Sequence, residues 1–534
     1  MWQGCVLWGI FGVLALAIRG VRWDENYEFA QVIAGQIPYP AGHPLHRYVF
    51  SAYNLQLYAS AALLKILPSA VVLCSVRNLL FILATVVPIY VLGAVVSQRA
   101  LCGHLAAALF LAGIHLDFDG AYPQFLWPGM FSNGHIGMAF ALLLVCLLAQ
   151  GHIRTGFLML GLMPAVHLGQ LPPTLLFGGF YVLAQWRRHQ LEPIVHAIPF
   201  FVSGIAVALI FFVVQHSFVV APPVDGPYFS IEDARPIWEG RLAFHDMHRQ
   251  IPLGNSHILV AGALILGGLG LTIERRSSIQ GPSAWRWLFV YVAGLLLIVY
   301  SIMAVHAALG TKVPYLFLGW LPYRLVNHIA PVLVAFMVTV LATDGSSERR
   351  GGPQAVWLIA ATLLFVLLKP YLGSLLPPDV SRRYLSGNES VLFFLYGASF
   401  VLLTLRLEEK STSCIPLRLG AIAGWWVLAW LHQYGAACAL GGALAALALV
   451  RIHPGAVAAR MDRYGRRAAG LLAALLVLAV LYGEYVNRKH LPIGDFEHRV
   501  AAYLEASGQG DAMLAAGPSQ LLLQAQTGHP VIVD

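Results

Sequence analysis

Apolar segments of bilayer length follow one another along this chain, divided only by short polar, Gly- or Pro-marked breaks. A hydrocarbon core takes about 20 apolar residues per helix. A closed β-barrel would instead show alternation in strands of about ten residues, and no such alternation is present. Composition agrees: 58% of the 534 residues are hydrophobic and 11% are charged, against about 25% charged in soluble domains, and mean hydropathy is +0.71. The expected fold is an all-α polytopic membrane protein.

About fifteen spans are legible, near 4–18, 79–96, 101–116, 134–149, 155–171, 174–186, 193–215, 257–273, 287–306, 326–343, 355–370, 390–405, 416–431, 434–450 and 468–485. Basic residues in short connections set orientation. Arg99, Arg154, Arg187 with Arg188, Arg275 with Arg276, Arg349 with Arg350, Arg406 with Lys410, and the cluster from Arg451 to Arg467 occupy every second connection. That side is expected to be cytoplasmic, with the N-terminus inside and the C-terminus outside. Arg19 and Arg22 pull the other way and are outvoted. The same placement accounts for the net charge of +8, so a nucleic-acid partner is not expected.

Two outer loops are long, 19–78 and 217–256, and loops beyond about 12–15 residues in a compact protein are usually functional or disordered. The first carries helical apolar patterns, Tyr27, Ala30, Val32 and Ile33, then Leu55, Leu57, Tyr58, Ala61 and Leu64. Ordered helices lying on the membrane surface are expected there. The six cysteines, Cys5, Cys74, Cys102, Cys146, Cys414 and Cys438, are scattered without a Cys-x-x-Cys pair and read as small core residues. Residues 1–18 lack a basic leader and an Ala-x-Ala site, the pattern of a retained signal anchor rather than a cleaved signal. Residues 1–486 form the expected membrane domain. Beyond them, 487–534 read helix, strand, helix, strand, a short C-terminal α/β piece too small for a core of its own. Either that piece docks on the membrane domain or the sequence is a fragment.

On this topology seven of the 25 acidic residues face the cytoplasm and the other 18 lie outside, which puts any chemistry on the outer face. Arg22-Trp23-Asp24-Glu25-Asn26-Tyr27-Glu28 stands just after the first apolar segment, and Gly42-His43-Pro44-Leu45-His46-Arg47 follows in the same loop. Asp24 and Glu25 suit either proton transfer or a helix-end cap. Asp117-Phe118-Asp119 offers two hard oxygen ligands one residue apart, suited to Mg²⁺, Mn²⁺ or Ca²⁺; the other reading is a solvated turn. Arg324, in Leu321-Pro322-Tyr323-Arg324, has the planar fork that takes two phosphate oxygens at once; it could equally snorkel to lipid headgroups.

This arrangement resembles the GT-C superfamily of membrane glycosyltransferases that use polyprenyl-phosphate-linked sugars. Trp23-Asp24-Glu25-Asn26-Tyr27 matches the acidic motif after the first helix. His43-Pro44-Leu45 is similar to the His-Pro-Pro-Leu of the aminoarabinose and protein mannosyl transferase branches, with Leu45 in place of the second Pro. Asp117-Phe118-Asp119 sits where oligosaccharyltransferases carry metal-binding acids, and Leu321-Pro322-Tyr323-Arg324 resembles a lipid-phosphate arginine segment. The Trp-Trp-Asp signature of oligosaccharyltransferases is missing from the sequence, so a peptide acceptor is not implied.

The resemblance implies sugar transfer with inversion to a glycan, lipid or protein acceptor at the outer face of a prokaryotic inner or plasma membrane. Asp24 would be the general base, helped by Glu25 or His43. Arg324 would hold the lipid phosphate, and Asp117 with Asp119 a divalent cation, Mg²⁺ or Mn²⁺. Two other classes stay open. A transporter or lipid flippase would place its site at broken helices near the midplane, and Gly169-Gln170-Leu171-Pro172-Pro173 has the makings of such a break. A non-catalytic membrane partner could keep the same fold without activity.

Overall fold

The structure, a computed structural model, describes residues 2–21, 24, 26–37, 44–97, 100–111, 133–187, 189–218, 284–309, 329–342, 444, 499–500, 502–504, 506, 514–516 and 531–533. Described helices are α1 (Trp2–Arg19), α2 (Asn26–Ala34), α3 (Pro44–Ser51), α4 (Leu55–Ile66), α5 (Ala70–Ser97), α6 (Ala100–Leu111), α7 (Asn133–Ala149), α8 (Ile153–Val166), α9 (Leu171–Trp186), α10 (Glu192–Val195), α11 (Ile198–His216), α12 (Ala284–Leu309) and α13 (Ile329–Ala342). Helical structure thus dominates, as expected. Among the described residues two stretches, Ala70–Ser97 and Glu192–His216, are long and apolar enough to cross a membrane. Apart from Leu444, the expected spans at 257–273 and from 355 to 485 lie outside the described residues.

Chain packing separates into two units, and α1 and α5 each contribute to both. In the first unit, the start of α1 meets the second half of α5 and α6. Gly4 approaches Tyr90 so closely that a Cβ would fall 2.1 Å from its ring. Trp8 donates its indole N–H to His104 Nδ1 at 3.0 Å. Helix α13 packs on α6 and on α12.

The second unit holds the rest of α1, α2 to α4, the first half of α5, and α7 to α11. Helices α2 and α4 do form from the apolar patterns in the first long loop, and they pack against each other and the start of α5. Tyr27, Ala30, Ala61, Leu64, Leu73 and Cys74 make their common core. Two short helices can hold such positions because their ends are tied. Asn54 caps α4 by accepting from Gln56 N–H at 2.9 Å, and Gly35, in the left-handed region at φ +77°, lets the Gln36 N–H close back on Gln31 C=O at 2.9 Å, the six-to-one bond of a Schellman end. Elsewhere in this unit α8 and α11 cross backbone to backbone. A Cβ on Gly161 would fall 2.2 Å from Phe201 C=O, and one on Gly204 2.3 Å from Leu158 C=O.

Two boundaries differ from the sequence reading. The apolar run expected to begin at 79 is a helix from Ala70, so Arg77 and Asn78 lie inside it rather than ahead of it. The helix-breaking character of 169–173 is realised one turn earlier: α8 ends at Val166, a 3₁₀ turn occupies Leu168–Gln170, and α9 starts at Leu171 with Pro172 in its first turn. At the C-terminal end Leu514–Ala516 and Val531–Val533 pair as parallel strands, Leu514 opposite Val531. The helices expected beside them, except for residues near 499–506, lie outside the described residues.

Candidate functional site

Helix α1 ends at Arg19 and Gly20, at φ +86°, turns the chain back with its N–H on Leu16 C=O at 2.9 Å. Asp24 follows four residues on and is fully buried. Each oxygen of its carboxylate has a separate task. Oδ1 accepts the main-chain N–H of Asn26 at 3.0 Å and the Asn26 side-chain Nδ2–H at 2.5 Å, which starts α2. That is the helix-end cap weighed above. Oδ2 accepts from Arg77 Nε on α5, 53 residues away, at 2.5 Å. So the carboxylate both caps one helix and ties it to another.

Arg77 is itself buried, 5% exposed, and is fixed from a third element. Its Nη1 donates to Ser60 Oγ at 2.9 Å, and Ser60 donates onward to Gln56 C=O at 2.7 Å within α4. Removing a charged pair from water is expensive. The penalty is offset only by close mutual geometry and by further hydrogen bonds on the remaining lone pairs and protons. Asp24 meets that condition at both oxygens. Arg77 does not: Nη2 is sealed from solvent and has no hydrogen-bond partner among the described residues.

The surroundings are polar beyond what packing alone would select. Asn26, Glu28, Gln31, Ser60 and Asn78 are all buried around α2, α4 and α5. Gln31 Nε2 donates to the Tyr27 hydroxyl at 3.1 Å, while Asn26 Oδ1 and Gln31 Oε1 accept nothing among the described residues. Burial pushes the Tyr27 phenol up from its ordinary range, and the neighbouring Cys74 thiol adds to the push, so Tyr27 stays protonated at neutral pH. Cys74 is completely buried and lies beside Asp24.

This cluster is braced from the far side of α4. Gln56 Nε2 donates to Val166 C=O at the end of α8, 2.7 Å away. Tyr53 donates to Ala208 C=O at 2.6 Å, and Gln215 Nε2 to Phe50 C=O at 2.5 Å. Rings of Tyr53 and Tyr58 lie against Phe211 and Phe212 of α11. A second polar group gathers at the break between α8 and α9, where Gln170 and Thr174 are buried and a Cβ on Gly137 would crowd His167 at 2.8 Å.

Of the six candidate site residues, Asp24, Glu25, His43, Asp117, Asp119 and Arg324, Asp24 alone falls within the described part. Glu25, His43, Asp117, Asp119 and Arg324 lie outside it, and with them the expected divalent cation. Two partners were missed by sequence reasoning, Arg77 and Ser60. Arg77, read as a polar break ahead of the apolar run at 79, had no local signal for its partner, and Ser60 had none. No protein family, curated protein or solved structure matches the chain.

Proposed function

We propose that this protein is a multi-pass membrane glycosyltransferase that moves a sugar from a polyprenyl-phosphate-linked donor to an acceptor on the extracytoplasmic face, and that Asp24 is its general base. The observation that carries the reading is a fully buried carboxylate, held by a helix-borne arginine, at the end of the first helix of a chain that otherwise avoids charge. Such ionisable groups are costly in an apolar body and mark functional sites by default. Lipid-facing character supports the membrane part. Much of α11 is apolar and exposed, with Ile198, Val202, Leu209, Ile210 and Val213 outward, a surface that water disfavours and lipid accepts.

In the reaction, the acceptor's hydroxyl oxygen bonds to the anomeric carbon from the face opposite the phosphate, inverting that centre. The bond from this carbon to the phosphate oxygen breaks, and its electron pair leaves with polyprenyl phosphate. The hydroxyl proton passes to Asp24 Oδ2. Asn26 keeps Oδ1 in place through two donors, so the accepting oxygen stays oriented. Arg324 would take phosphate oxygens as negative charge gathers on the leaving group. The acceptor class, whether glycan, lipid or protein, follows from which acceptors work. The test is direct: vesicles holding the purified protein, given polyprenyl-phosphate sugars and candidate acceptors from a cell envelope, should yield a glycosylated product and free polyprenyl phosphate. No product from a panel covering all three acceptor classes would reject the reading.

A second reading, transport or lipid flipping, is favoured by one separate observation, the Leu168–Gln170 break with its buried glutamine. It requires labelled lipid or solute to cross those vesicles without any covalent product.

A further inference from the structure

The Asp24 and Arg77 contact is one-pronged. Arg77 reaches Oδ2 only through Nε, its Nη1 is held by Ser60, and its Nη2 is buried with no partner among the described residues. Asp24 cannot supply a second oxygen, because Oδ1 is already occupied by both donors of Asn26. A guanidinium is satisfied best by two oxygens of one anion on adjacent N–H groups. A phosphate offers that arrangement on Nε and Nη2; Asp24 in this position does not.

We propose that Arg77 is a phosphate site for the donor lipid and that its pairing with Asp24 is a latch which the phosphate opens. The inference rests on the glycosyltransferase reading given above. Arriving phosphate exchanges one contact at Arg77 for two. Asp24 is not lost in the exchange, since Asn26 retains Oδ1 at the head of α2, and Oδ2 becomes free to accept a proton. Ser60 holds Nη1 throughout, so the guanidinium keeps its plane while its partner changes. The base is therefore uncovered only when donor is bound. Because Nη2 is sealed in the resting state, entry requires α2 and Asp24 to shift away from α5, and the buried Cys74 beside them becomes exposed in the same movement.

The probe is farnesyl phosphate in detergent solution, with farnesol and inorganic phosphate as separate arms. Wild-type protein should bind farnesyl phosphate at least about tenfold more tightly than farnesol, the scale of one charge-assisted hydrogen bond, and binding should speed alkylation of Cys74 by a small maleimide. Arg77→Lys keeps the charge but not the fork and should bind about tenfold more weakly. Asp24→Asn removes the competing charge and should bind several-fold more tightly than wild type. Equal affinity in wild type and Arg77→Lys overturns the proposal, and that comparison decides it if Asp24→Asn fails to fold. Inorganic phosphate binding as tightly as farnesyl phosphate would also overturn it, by assigning the site to free phosphate. Failure of the two readings is separable. Sugar transfer with unchanged affinities removes the latch and leaves the enzyme; the expected affinities without transfer to any acceptor leave a lipid-phosphate site and remove the enzyme.

Discussion

A carboxylate at Asp24 persists in its buried setting because four hydrogen-bonding groups on three helices converge on it and on its counter-charge. Breaking one half of such a pair costs about 3–5 kcal/mol, whereas removing both charges is often close to neutral. Arg77→Met is therefore expected to destabilise by that amount, and Asp24→Asn with Arg77→Met together to recover most of the loss, since asparagine keeps an oxygen for the Asn26 N–H. Unfolding of the four proteins in one detergent checks this, and additive losses would contradict it. How much of the pair was legible is instructive. Asp24 stood out because an acid beside an apolar run is conspicuous. Arg77 did not, because Arg77-Asn78 looks like a polar break before 79, and nothing local says that its partner lies 53 residues back. Only a tertiary contact turns that break into the inside of a helix.

Elements are governed by glycine in two different ways. Gly161 and Gly204 serve close approach: a Cβ on either would fall within 2.3 Å of a backbone oxygen on the facing helix, which cannot rotate away. Gly161→Ala should force α8 and α11 apart and destabilise by about 1–3 kcal/mol, and Gly161→Leu should abolish the folded state, as thermal unfolding in detergent would report. Gly35 serves conformation alone, with nothing among the described residues within 4 Å of an added Cβ. Gly35→Ala should then lose only about 1–2 kcal/mol, the cost of a left-handed residue with a side chain. A larger loss at Gly35 than at Gly161 would reverse this assignment. The helices themselves were readable, since apolar runs at 4–18, 134–149, 174–186 and 287–306 each coincide with described helix, and 193–215 is divided between α10 and α11. Their crossings were not, because a glycine in an apolar run looks the same whether or not another backbone lies against it.

Whole-molecule character follows from where apolar side chains end up. Soluble proteins bury such groups, yet α11 presents Ile198, Val202, Leu209, Ile210 and Val213 outward, and with α10 it forms one of the two stretches among the described residues that are long enough to cross a bilayer. The protein should remain in membranes washed at alkaline pH and leave only with detergent; release by the wash would contradict the multi-pass reading. Orientation is checked by single cysteines placed at Arg154 and at Ser69, which the topology expected from the sequence puts on opposite faces: labelling by an impermeant reagent from outside should reach only the second. The chemistry at Asp24 is tested most directly by the turnover of Asp24→Asn. In vesicles carrying folded protein at equal amount, with a polyprenyl-phosphate sugar donor, sugar transfer should fall by about 10²–10⁴-fold relative to wild type, the worth of a general base. Turnover within a few-fold of wild type would remove Asp24 from the reaction.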